Sequence, residues 1–334
     1  MKIIWFIRLV RPVNLLIIAA TMIAIRYLLI VPLLSSASPA LSAAVEPVDF
    51  ALLVLSTMLI GAGGYIINDY FDLRTDRINK PEKVIIGKYI KRRTAMAVHV
   101  VFNTLAFGIG IYLSIRYHSI WPALIHGLST SLLWFYSLML KRKYLSGNIL
   151  IAFLAWLTPM LVILLEWDAH ALSGTSAVPF SSCTTFLTKN WVVCTNGEAL
   201  NALLLLVEVF AFFAFVTNLA REIIKDIADV EGDKAIGCTT LPIRSGINPS
   251  RWIVAGLLVL TMALIAAGAG FAFREAAPWI YVGCGVMVPL VLCLITLFRN
   301  TDRRTMLMAG NFLKIAMLSG LGTAFFIHQL FVSA

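Results

Sequence analysis

The chain has 334 residues, 60% of them hydrophobic and 13% charged, whereas globular proteins carry about 25% charged residues. That composition excludes an ordinary water-soluble domain and implies a polytopic membrane protein. The 27 basic against 17 acidic residues, a net +10, then read first as membrane topology rather than as nucleic-acid binding, because Lys and Arg gather in cytoplasmic loops.

From the amino terminus, the first apolar run is interrupted by Arg8, Arg11 and Pro12 with no prompt small-residue cleavage site, so this segment is expected to stay as an anchor. A spanning helix needs about 20 apolar residues. The runs predict spans near 13–34, 49–68, 94–115, 119–140, 146–166, 200–220, 251–273, 277–298 and 308–331. The expected fold is all-α, a polytopic bundle of roughly nine transmembrane helices forming a single membrane-embedded domain over 1–334, with an active-site cavity toward the cytoplasm. Alternate loops carry the basic residues: Lys2, Arg8 and Arg11; Arg74 to Arg93; Lys141, Arg142 and Lys143; Arg221 to Arg251; Arg299, Arg303 and Arg304. By the positive-inside rule the amino terminus is cytoplasmic and the carboxyl terminus outside. Long cytoplasmic loops are expected at about 69–93 and 221–250, with extra helical turns bounded by Pro81 and Pro242, since proline cannot continue a helix interior. The outer loop 167–199 is Ser/Thr-rich and reads as a connector. Its Cys183 and Cys194 are either a disulfide or two free thiols; Cys284 and Cys293 read as apolar fill, and Cys238 has no partner at metal-ligand spacing, so no zinc site is expected.

Two acidic stretches stand out. In GYIINDYFDLRTDRINKP, Gly64 to Pro81, the residues Asn68, Asp69, Asp72 and Asp76 arrive where an apolar run meets water. Steps of three, four and seven keep the carboxylates on one helical face, where like charges repel unless neutralised. REIIKDIADVEGDKAIG repeats the spacing with Asp226, Asp229 and Asp233. Either cluster alone reads as a solvated helix end paired with Arg74, Arg77, Lys225 or Lys234. Two of them, on the same side of a basic membrane protein, point to a bound cation. Oxygen donors without nearby His or Cys suit magnesium or manganese, and magnesium is commonly shared between carboxylates, water and substrate phosphates. Two facing clusters therefore suggest a diphosphate held through bridging metal ions, with cationic side chains offsetting the remaining charge. A cation transporter also needs acids in a membrane, but its sites usually lie near the midplane on broken helices, not at a boundary.

Charged groups at membrane depth are functional candidates by default. Arg26 either snorkels outward beside Tyr27 or meets a polar cavity; Lys314, sharing a face with Asn311, either packs or contacts substrate; Asn14 either lines an acceptor site or bonds between helices. The runs Trp134 to Tyr136 and Phe210 to Phe215 either stabilise a cation through their π faces or serve as lipid-facing and core residues.

NDYFDLRTD resembles the N-D-x-x-D-x-x-x-D motif of the UbiA superfamily of intramembrane prenyltransferases, and KDIADVEGDKAIGCTTLP resembles that superfamily's second aspartate motif. FIRLVRPVNLL and YSLMLKRKYLSGN extend the resemblance over nearly the whole chain. It implies nine transmembrane helices, with both motifs at cytoplasmic helix ends. It also implies magnesium-dependent ionisation of an isoprenoid diphosphate and capture of the allylic cation by a lipid-soluble or amphiphilic acceptor. By the same resemblance Asn68, Asp72, Asp229 and Asp233 are metal ligands, with Asp69 and Asp76 beside them. Tyr136 and Lys141, or Lys143 in its place, lie near the diphosphate. In NKPEKVIIG the family's arginine is absent, leaving Lys80, Lys83 or Lys88 to replace it, with Arg74 and Arg221 as further substrate-binding candidates. The R-E-x-x-K-D stretch ending in T-L-P is closest to the digeranylgeranylglyceryl phosphate synthase branch, which transfers a geranylgeranyl group to geranylgeranylglyceryl phosphate and forms an ether lipid. Lys225 and Asp226 stand where 4-hydroxybenzoate-accepting members have Tyr-Ala, and Lys225 either serves a phosphate acceptor or pairs with Asp229. Aromatic acceptors, such as 4-hydroxybenzoate, homogentisate or a tetrapyrrole, remain the alternative.

Overall fold

The computed structural model describes residues 2–37, 43–79, 81–172 and 196–332. Its long elements are helices, as apolar segments in hydrocarbon must be, because a helix satisfies its own backbone donors and acceptors. A short α1 (Lys2–Val10) precedes α2 (Pro12–Ala24), which continues through a π-helical stretch, Ile25–Ile30, into Val31–Ala37. Arg11 separates α1 from α2 in the left-handed region, φ 53°, with Pro12 opening the next helix. Proline suits that first helical position, where its missing N–H has no partner to lose.

The chain continues with α3 (Pro47–Phe71), α4 (Leu73–Asn79), α5 (Arg92–Arg116), α6 (Trp121–Leu138), α7 (Ser146–Leu172) and α8 (Asn196–Ala228). It ends with α9 (Val230–Ala235), α10 (Leu241–Arg244), α11 (Ile247–Ala272), α12 (Ala276–Tyr281, through a π stretch Val282–Met287 into Val288–Arg299) and α13 (Arg303–Val332). Every expected span corresponds to one of these helices. Among the described residues, eight are long and apolar enough to cross a membrane. The ninth, α6, falls short because it spends positions on polar residues: His126, Ser129 and Tyr136, which turn inward, and Thr130, which bonds to Asn103.

The bundle is organised about α8, which packs on α7, α11 and α13. Its buried apolar residues serve two cores. Leu203, Val207 and Ala211 join Leu29, Leu53 and Leu161, while Ala220, Ile223 and Ile224 join Leu258, Leu290 and Leu313. The end of the bundle away from the aspartates is closed by buried charge. Arg26 is 3% exposed and Glu166 0%, and they pair at 3.4 Å. The Arg26 guanidinium also bonds to the Val45 carbonyl and lies 4.6 Å from the centre of the Phe50 ring. Glu166 in turn accepts from the Ala44 amide. Arg26 thus neither snorkels nor reaches the cavity. Cys293 is buried as expected, but Cys284 faces outward. Cys183 and Cys194 lie outside the described residues, as does most of the loop that holds them.

Candidate active site

Both acidic motifs interrupt their helices at the same place. α3 ends at Phe71 and Asp72 takes φ −83°, ψ 0° before α4 begins. α8 ends at Ala228 and Asp229 takes φ −105°, ψ 8° before α9 begins. This bridge region is sparsely populated and often holds functional residues. The hydrogen-bond ladder nevertheless runs on across each break, from Asp76 N–H to Asp72 C=O at 2.8 Å and from Asp233 N–H to Asp229 C=O at 3.1 Å. The two short helices that follow pack against each other, α4 on α9. Stretches more than 150 positions apart in the sequence are thereby brought together at one end of the bundle.

The carboxylates there are met by cations and amides from five directions. Arg11 Nη2 bonds to Asp69 Oδ1 at 2.6 Å. Lys141, on the turn between α6 and α7, pairs with Asp72 and donates to Asn68 Oδ1 at 3.3 Å. Asn148 Nδ2 donates to Asp226 Oδ2 at 2.8 Å, and Arg303 Nε to Asp229 Oδ1 at 3.3 Å. Glu222 is buried and pairs with both Arg221, at 3.3 Å, and Lys225, at 3.5 Å. Burial opposes the charge on Arg11, yet Asp69, Tyr65 and Asp76 together raise its pKa. Burial lowers the Lys141 ammonium to about 7, helped by Lys225 and Arg142.

Several sequence expectations change in detail. Asp69 and Asp72 do not act as one stripe, since Asp69 turns to Arg11 and Asp72 to Lys141. Lys141 takes the place near the first motif, and Lys143 is exposed. Lys225 pairs with Glu222 one turn before it. Lys80 lies outside the described residues, as do the side chains of Arg74 and Lys83.

From this end a cavity of about 290 Å³ enters the bundle between α2, α3, α6, α7, α8 and α13. Its polar lining includes Arg11, Asn14, Asn68, Tyr136, Asn218, Arg221, Glu222, Lys225 and Lys314, and Ile17, Ile60, Leu133, Leu154 and Leu161 supply much of the apolar remainder. Of the two aromatic runs, Tyr136 and Ala214 reach the lining. Asn311 is exposed and does not join Lys314 there.

Glu222, Asn148, Arg11 and Arg303 were not singled out from sequence as site residues. Glu222 had a local signal, its i,i+3 spacing to Lys225 on a helix. Asn148 closes the YSLMLKRKYLSGN stretch. Arg303 had none, because its partner lies 74 positions earlier, at the break between α8 and α9.

A polytopic helical bundle with two aspartate motifs facing each other above an apolar cavity narrows the kinship. Residues 29–318 match the model of the UbiA prenyltransferase family. The chain belongs to the UbiA prenyltransferase family. It is 30% identical over 284 residues to a digeranylgeranylglyceryl phosphate synthase of Methanothermobacter thermautotrophicus, covering 80% of this chain and 82% of that one. It is also 30% identical over 285 residues to the synthase of the same name from Thermococcus kodakarensis, covering 84% and 86%. Among solved structures, a digeranylgeranylglyceryl phosphate synthase superposes with TM-score 0.58 at 21% identity, covering 97% of this chain and 99% of that one. A UbiA homologue from Archaeoglobus fulgidus bound to GPP and Mg2+ superposes with TM-score 0.56 at 15% identity, with the same coverage. At those identities the structural likeness speaks for the fold.

The donor set of this UbiA prenyltransferase fits a hard divalent cation in its chemistry: carboxylates and an amide oxygen on two facing segments. Among the described residues no three His, Cys, Asp or Glu side chains converge as a ready-made metal cage. Magnesium does not require one, because it is usually held by one or two carboxylates and completed by water and substrate phosphates.

Proposed function

We propose that this enzyme transfers a geranylgeranyl group from its diphosphate to the free hydroxyl of geranylgeranylglyceryl phosphate, forming an ether lipid. The observation that carries the reading is the packing of α4 on α9, which sets the Asn68–Asp76 stretch against the Asp229–Asp233 stretch at the cavity mouth. The two synthases at 30% identity support the choice of acceptor.

In this reading Asn68, Asp72, Asp229 and Asp233 would hold Mg2+, which would supply positive charge to offset the negative charge developing on the departing diphosphate. Lys141, already in contact with Asn68 and Asp72, donates to a diphosphate oxygen in the same place. Arg303 approaches from the second motif. Asp69 and Asp76 orient Arg11 and the first motif, and Asp226 is oriented by Asn148. The apolar walls of the cavity take the prenyl chain and exclude water from the cation that forms. Tyr136, on those walls, presents its ring to that cation. Positive-inside topology puts the aspartate end at the cytoplasmic face.

Incubation of purified protein in detergent with geranylgeranyl diphosphate, Mg2+ and a panel of acceptors tests the reading. The expected product is digeranylgeranylglyceryl phosphate. Product with 4-hydroxybenzoate and none with geranylgeranylglyceryl phosphate would overturn it.

A further inference from the structure

The diphosphate site leaves one group of cations unused. Lys314 lies eleven residues into α13, about 16 Å along the helix at about 1.5 Å per residue. Arg221 lies seven residues before the end of α8, about 10 Å from it by the same rise. Both line the cavity, and α13 packs on α8 and α2 around it. Glu222 is the nearby carboxylate, but it is already shared between Arg221 and Lys225. Lys314 makes no ion pair or hydrogen bond among the described residues. An ammonium placed at membrane depth without a counter-ion is costly. It stands on α13, whereas Asn68 and Asp72, with Lys141 upon them, belong to α3 and the break after it.

We propose that Lys314 and Arg221 form a second anion subsite that binds the phosphate of the acceptor and selects a phosphate-bearing lipid over a neutral one. This rests on the acceptor class given under the proposed function and adds the residues that recognise it. A phosphate monoester carries about −1.5 to −2 charge near neutral pH. One unpaired ammonium and one guanidinium half-engaged with Glu222 match that charge without a further metal ion. The acceptor's free hydroxyl is on the glycerol carbon next to the one that bears the phosphate. Anchoring the phosphate on α8 and α13 therefore fixes the hydroxyl within a short reach of the donor, while the acceptor's chain follows the apolar lining. Binding of this kind makes orientation part of selection.

The test is steady-state kinetics of the Mg2+-loaded enzyme in detergent, with donor and acceptor varied separately. The variants are K314Q, the apolar K314M and the charge-preserving K314R. Loss of a charge-assisted contact predicts a rise of about 10- to 100-fold in acceptor KM for K314Q and K314M. Donor KM should change less than about 3-fold, and K314R should recover most of the acceptor affinity. With the dephosphorylated acceptor, geranylgeranylglycerol, wild type and K314Q should work equally. An unchanged acceptor KM in both K314Q and K314M, or a rise in donor KM alone, overturns the subsite. Absence of wild-type product with the phosphorylated acceptor overturns the acceptor reading itself, so the two failures are told apart by the wild-type arm.

Discussion

Arg11, at the break before α2, reaches Asp69 on α3 at 2.6 Å, and the side chain of Asp69 is thereby committed away from Asp72. Two neighbouring carboxylates of one motif thus have different partners. Asp72 pairs with Lys141, whereas Asp69 ties the break before α2 to α3. D72N and D229N are expected to lower kcat by at least about 100- to 1,000-fold, the scale of removing one electrostatic contact to developing charge. D69N should cost about 10-fold or less, and far-ultraviolet circular dichroism should stay unchanged in all three. Equal losses in D69N and D72N would refute this division of labour.

Gly147 gives a sharper test of Lys141. A Cβ at this position would lie 2.8 Å from the Lys141 Cα and 3.1 Å from the Leu140 carbonyl oxygen. Both are backbone atoms, which cannot swing aside as a flexible side-chain end does. G147A must displace the turn that presents the Lys141 ammonium to Asn68 and Asp72. A misplacement near 1 Å can cost about 100-fold in rate, so kcat should fall by about 10- to 100-fold in a protein that still assembles in the membrane. K141M should fall at least as far, and the double variant little further, because both changes remove the same contact. Additive losses in the double variant would separate Gly147 from Lys141.

The donor set predicts metal dependence. Chelation should abolish transfer, and Mg2+ or Mn2+ should restore it, because the donors on the two motifs are hard oxygens. Recovery by Zn2+ alone, measured as product formed after metal-free dialysis, would point to a different ligand set.

Much of this site could be read from the chain because its determinants are local. Asp72 and Asp229 sit in repeated spacing at the ends of apolar runs, and loop charge alternates strongly enough to mark each run's ends. What could not be read was pairing across the bundle. Glu166 closes an apolar run with no local cue to a partner, and only the fold brings it to Arg26, 140 positions earlier. Arg303 and Asp229 meet for the same reason. The break at each central aspartate was also hidden, since the spacing of an uninterrupted helix and of one bent at Asp72 is identical in sequence. α6 was still legible as the span near 119–140, even though the polar residues it turns toward the cavity dilute its apolar signature.

The Arg26–Glu166 pair makes a prediction about stability rather than turnover. Both side chains are nearly fully buried, and breaking a buried pair by removing one partner typically costs about 3–5 kcal/mol, because the other charge is left uncompensated. R26M should therefore lower the thermal unfolding midpoint in detergent markedly. The same change made together with E166Q should lower it much less. The substituted amide would carry no charge in need of a partner, yet its oxygen can still accept the Ala44 N–H that Glu166 now accepts. The pair lies at the far end of the bundle from the aspartates, so KM for donor and acceptor should be unchanged in whatever fraction remains folded. If R26M alone melts like wild type, the network does not hold the closed end together. If it melts normally but shifts KM, the cavity extends further toward Arg26 than its lining residues indicate.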